Sequence, residues 1–94
     1  IEKYIKEKKI DVIALSVVQW KSGLLIDIDF LKKIKLNYPV IIIIGDGTQF
    51  LGGHFFNFQD SPFDFIAASG YKWLMSGFGN GLFMISDNSF IIFH

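Results

Sequence analysis

The 94-residue chain contains no cysteine. That excludes a disulfide framework, a thiolate zinc site and a cysteine nucleophile among these residues, and it fits a reducing, cytoplasmic setting. Arginine is also absent, since all nine basic residues are lysine. The planar guanidinium fork that grips a carboxylate through two parallel hydrogen bonds is therefore unavailable. A substrate carboxylate must be held by residues outside this chain or by a different device. Net charge is zero, nine lysines balancing nine acids, which gives no electrostatic case for nucleic acid, an anionic membrane or an acidic partner. The longest apolar run, residues 40–44, is far too short to cross a bilayer. His54 and His94 have no ligand-spaced histidine partner, so no metal site is expected, and His54 reads as a loop residue.

What the chain does have is apolar and aromatic mass, 51% and 17% of residues, enough for a packed core and inconsistent with disorder. Ile1, Tyr4 and Ile5 have helical spacing, and a helix is expected through about residue 9. Residues 11–18 form a continuous Val/Ile-rich run, as in a strand buried on both faces of a parallel sheet. Asp27 is placed to cap a helix carrying Ile28, Leu31 and Ile34 on one face, with Lys32, Lys33 and Lys35 on a solvated face. Asn37 and Pro39 end that helix, and Pro39 opens a second strand reaching Ile44. A short helix over 48–51 and a loop follow, then strands over 63–69 and 82–86, with a fifth opening at 90–93. The alternation of helices and strands indicates an α/β domain with a mainly parallel sheet. The N-terminus has no initiator methionine, and the C-terminus stops inside an apolar run. Residues 1–94 thus read as part of a larger domain, incomplete at both ends.

Two charged residues stand out against this background. Lys72 lies in the apolar, glycine-flanked segment Ser69-Gly70-Tyr71-Lys72-Trp73-Leu74, and Asp46 ends an isoleucine run in Gly45-Asp46-Gly47-Thr48-Gln49. Lysine and aspartate mostly occupy solvated faces, so the pattern suggests a buried amine and a buried carboxylate serving one ligand. Ligands of open α/β sheets bind beyond the carboxyl ends of the strands, which is where both residues fall. The pair suits pyridoxal 5'-phosphate. A desolvated lysine loses its proton readily and forms a Schiff base, while a carboxylate holds the pyridinium nitrogen. Gln49 could donate to the ring's phenolate oxygen, and Ser69 could bind the phosphate. Asp60 and Asp64 read as a turn acid and a strand-start acid, and Trp20 and Trp73 as core. Gly77-Phe78-Gly79-Asn80-Gly81 lacks the strand-to-helix setting of a nucleotide loop.

The ordered set Asp46-Gly47-Thr48-Gln49, Leu51-Gly52, Asp64-Phe65, Ser69-Gly70-Tyr71-Lys72-Trp73-Leu74 and Gly79-Asn80-Gly81 resembles the class V aminotransferase family. These are fold-type I pyridoxal phosphate enzymes that include cysteine desulfurases, kynureninases and epimerase-like members. The 26-position separation of Asp46 and Lys72 is also like the family's. The resemblance implies a fragment of the large cofactor domain. Its fold would be three-layer α/β, a mainly parallel sheet with flanking helices and a last strand that runs antiparallel. It further implies that Lys72 carries the Schiff base and shuttles protons, that Asp46 pairs with the pyridinium and that Gln49 contacts the phenolate oxygen or the neighbouring aldimine. Ser69 would contact the phosphate. Tyr71 stands where desulfurases often have a phosphate-binding histidine; its hydroxyl can still donate, but the departure counts against a desulfurase. Gln19 is the nearest stand-in for a family asparagine, although Trp20-Lys21-Ser22 departs from the pattern. The implied substrate is an amino acid or amine and the implied assembly a homodimer. The family's phosphate loop, ring-stacking residue and carboxylate-binding arginine are not among these residues. Beside this reading stand two others: a degenerate or truncated relative that keeps the fold without catalysis, and a small α/β interaction module.

Overall fold

The computed structural model describes residues 2–87. Helix α1 spans Glu2–Lys8 and ends where Lys9 turns left-handed at φ 53°. Strand β1 is Val12–Ser16 and helix α2 is Ile28–Asn37. Strand β2 is Ile42–Asp46, a 3-10 turn covers Phe58–Asp60, strand β3 is Phe65–Ser69 and strand β4 is Gly81–Ile85. The sheet order is β1-β2-β3-β4. The first three strands are parallel and β4 is antiparallel to β3, as expected. The proposed strand at 90–93 lies outside the described residues.

Asp27 caps α2 as anticipated, its carboxylate accepting the Phe30 N–H at 3.0 Å. Leu31 and Ile34 of α2 are fully buried and join Ile5 of α1 and Ile43 and Ile66 of the sheet in one core cluster. Strand side chains alternate faces. The core face therefore carries Ile13, Ile43 and Ile66, and the opposite face carries Val12, Ile42, Ile44, Phe65, Phe83 and Ile85. Among the described residues that second face is open, with Phe83 58% exposed; Phe65 and Phe83 stack across it at 5.8 Å.

Two expected elements differ. Pro39 and Val40 form a turn instead of starting β2. The Ile41 N–H closes that turn onto the Tyr38 carbonyl, and regular pairing begins only with Ile42 N–H to Asp11 O at 2.9 Å. Residues 48–51 make one turn and not a helix. The Gly47 carbonyl accepts from Phe50 and Leu51, and Gly52, at φ +88°, redirects the chain.

Asp64 stands at the start of β3 as read, but Lys35 departs from expectation. Lys35 is not on a solvated face. Its ammonium lies 2.7 Å from Asp64 Oδ2 and donates to the Ile41 carbonyl as well. Asp64 is 6% exposed, and its Oδ2 also accepts the Ile43 N–H at 2.8 Å. A buried carboxylate must be paired and hydrogen-bonded, and α2 brings its lysine to the start of β3 for that purpose. Asp60, by contrast, is an exposed turn acid 3.6 Å from Lys32. Replacing Asp64 by alanine leaves the Ile43 N–H and the Lys35 ammonium without their shared acceptor. The expected loss is about 3 kcal/mol of unfolding free energy, measured by equilibrium urea denaturation; an unchanged midpoint would show that the pair does not stabilise the fold.

Candidate functional site

The parallel register aligns Ser16 with Asp46 and Asp46 with Ala67, so three strands finish at one edge of the sheet. A crevice of about 400 Å³ opens there, lined by Ser16, Val18, Trp20, Asp46, Thr48, Gln49, Ser69, Tyr71 and Lys72. Asp46, Gln49, Ser69, Tyr71 and Lys72 are thus brought together from two segments separated by the loop that holds the 3-10 turn.

Each group is held locally. One Asp46 oxygen, Oδ1, accepts the Thr48 N–H at 3.0 Å, an aspartate turn at the strand's end. The Ser69 N–H donates to Thr48 Oγ1 at 3.1 Å. Lys72 sits in a loop tied at its base: Gly70 N–H donates to Asn80 O, Ser76 N–H to Gly70 O, and the Asn80 side-chain amide to Ser76 O. Within it, Met75 N–H donates to Lys72 O at 3.0 Å. The glycines after Ser76 serve this tight turn, Gly77 and Gly79 having positive φ. The Lys72 ammonium rests 5.3 Å from the centre of the Tyr71 ring, which stacks on Phe78 at 5.6 Å. From below, Gly52 and Gly53 press against this loop. A Cβ on Gly52 would lie 2.7 Å from the Trp73 carbonyl oxygen, and one on Gly53 would lie 3.0 Å from the Trp73 ring.

The expectation of a buried amine and a buried carboxylate does not hold, because Asp46 and Lys72 are both exposed. Asp46 shares strand parity with Ile42 and Ile44, on the open face, while Gly45 and Gly47 take the core side. Lys72 lies beyond the end of β3 in the turn. Trp20 is not core either, at 74% exposure. A tight turn closed by Gln19 N–H to Leu24 O and Gly23 N–H to Gln19 O presents it at the crevice. Gln19 itself is not in the lining, so Trp20 is the residue this segment contributes. Trp73 is 55% exposed, covering the glycine pair instead of entering the core. Ser16, Val18 and Thr48 also line the crevice without being expected there; the spacing of Thr48 two residues after a strand-ending aspartate is the signal for the turn it makes.

The class-V aminotransferase family profile matches residues 1–90. The chain belongs to the class-V aminotransferase family. A comparison with curated proteins found no match. Class-V aminotransferases are a family of pyridoxal phosphate-dependent enzymes, and the mixed, mostly parallel sheet with an antiparallel last pair agrees with a domain of that family. No helix among the described residues of this class-V aminotransferase chain is long and apolar enough to cross a membrane.

The Gly52 contact gives a direct check on the loop that carries Lys72. Gly52→Ala places a methyl against the Trp73 backbone at a φ that side chains disfavour. It is expected to destabilise the protein by about 2 kcal/mol and to shift the tryptophan emission maximum; wild-type stability and emission would show that the two loops are not packed as described.

Proposed function

We propose that the full-length protein is a pyridoxal phosphate-dependent enzyme acting on an amino acid or amine, with Lys72 as the residue that carries the cofactor. The observation supporting this reading is the crevice itself, where a carboxylate, an amine, a carboxamide and the hydroxyls of Ser16, Thr48, Ser69 and Tyr71 converge at the carboxyl edge of the sheet. These groups fit the cofactor chemically. It offers a basic ring nitrogen, a phenolate oxygen, a phosphate and an aldehyde, and the lining offers a partner for each.

Asp46 binds the ring nitrogen and holds its proton. Its Oδ1 is already fixed by Thr48, and Oδ2 makes no hydrogen bond among the described residues, which leaves one oxygen for the ligand. Gln49 donates to the phenolate oxygen, and the Ser69 and Tyr71 hydroxyls donate to the phosphate. When bound, the cofactor supplies an electron sink for carbanion chemistry at the substrate. Lys72 Nζ would hold the cofactor and, as a primary amine, could take and return a proton at the substrate Cα. The tied loop from Gly70 to Asn80 limits where that amine can move. The lining also explains why a primary amine sits here: lysine is a flexible point donor that can give up its proton, which arginine cannot. With no arginine in the chain, a substrate carboxylate has to be held by residues outside it or by a device other than the guanidinium fork. The full-length protein is expected to act as a homodimer.

Borohydride reduction of the full-length protein with pyridoxal phosphate, followed by peptide mass mapping, tests the assignment. The expected result is one reduced adduct, on Lys72, and none in Lys72→Ala. An adduct on another lysine, or none, would falsify it. Asp46→Asn is expected to keep the adduct while lowering turnover by at least about a hundredfold, read as kcat.

A further inference from the structure

We infer that Thr48 is a positioning residue whose hydroxyl sets Ser69 for the cofactor's phosphate, an inference that rests on the reading of the crevice given above. The parallel pairing of β2 with β3 shows why a hydroxyl is needed. Gly47 N–H donates to Ala67 O at 2.7 Å. In a regular parallel ladder the next bond would run from Ser69 N–H to Gly47 O. The Gly47 carbonyl is not free for it, because it closes the following turn by accepting from Phe50 and Leu51 at 2.9 and 2.8 Å. Thr48 Oγ1 takes its place, accepting the Ser69 N–H at 3.1 Å. The hydroxyl therefore continues the pairing by one bond past the ladder, at the point where the chain leaves β3 for Tyr71 and Lys72. Thr48 is half-buried in the crevice wall, and its own N–H holds Asp46 Oδ1. One residue thus ties the segment bearing the carboxylate to the segment bearing the phosphate-facing serine and the lysine.

Only an oxygen on Cβ can make the Ser69 bond, so serine should replace threonine and valine, of the same shape, should not. Valine keeps the backbone N–H to Asp46, which confines the change to the Ser69 end. The test compares wild type, Thr48→Val and Thr48→Ser in the full-length protein. Dissociation constants for pyridoxal phosphate and for pyridoxal, which lacks the phosphate, are measured by visible-absorbance titration. Thr48→Val is expected to weaken pyridoxal phosphate binding by roughly threefold to tenfold, the effect of one hydrogen bond, and to leave pyridoxal binding unchanged. Thr48→Ser is expected to bind both as wild type does. Equal weakening for both ligands would make Thr48 merely structural and overturn the inference. So would an unchanged Thr48→Val, or a Thr48→Ser as defective as Thr48→Val. If wild type binds neither ligand, the reading of the crevice fails and this one with it. If wild type binds and Thr48→Val matches it, only the role of Thr48 is lost.

Discussion

Asp64 meets β2 with its backbone and its side chain at once. Its N–H donates to the Ile43 carbonyl at 2.9 Å, and its carboxylate accepts the Ile43 N–H while pairing with Lys35. The carboxylate stands where the Phe63 carbonyl would stand in an extended parallel ladder. Parallel strands have no hairpin turn to set their register, and a slip by one residue reverses every side chain's face. Here a slip would strip Ile43 of both partners and leave a buried charge unpaired, which the interior does not tolerate. The pairing of Ile44 with Phe65 and of Asp46 with Ala67 follows from this lock. At the other end of the same two strands, Thr48 Oγ1 stands in for the Gly47 carbonyl. Side-chain oxygens thus close the central ladder at both ends, one supporting the fold and one facing the crevice.

The crevice residues owe their convergence to that register. Asp46 is the last residue of β2, and Ser69 is the last of β3; with the strands aligned, the turns that follow must face one another. The glycines then let the loops touch. Gly52 and Gly53 accept Trp73 at distances a side chain would forbid, and this holds the Lys72 loop against the turn that follows Asp46. The arrangement of the crevice depends on packing that contains no reactive group.

Much of this was legible in the residues. The run of isoleucines ending at Asp46, the Asp27 cap and the ordered segment from Ser69 to Leu74 indicated the sheet, the helix and the crevice lining. What escaped were facts of three-dimensional partnership. Lys35 follows Lys32 and Lys33 in sequence and looks equally solvated; only the position of Asp64, 29 residues away, draws it inward. Trp20 looks like core by residue type, but its turn points it outward. The turn after Asp46 reads as a helix in the sequence because Gly47 satisfies two N–H groups within a single turn, a pattern that composition does not distinguish from the start of a helix. The exposure of Asp46 followed from strand parity, which an unbroken isoleucine run conceals, since both faces read as apolar.

The locked register brings Asp46 and Lys72 to one crevice, and the proposed function requires both to meet one ligand there. A crystal structure of the full-length protein with pyridoxal phosphate tests it most directly. The account requires the cofactor in the crevice, its ring nitrogen within hydrogen-bonding distance of Asp46 and its reactive carbon bonded to Lys72 Nζ. A cofactor bound elsewhere, or one whose ring nitrogen faces a residue other than Asp46, would contradict it.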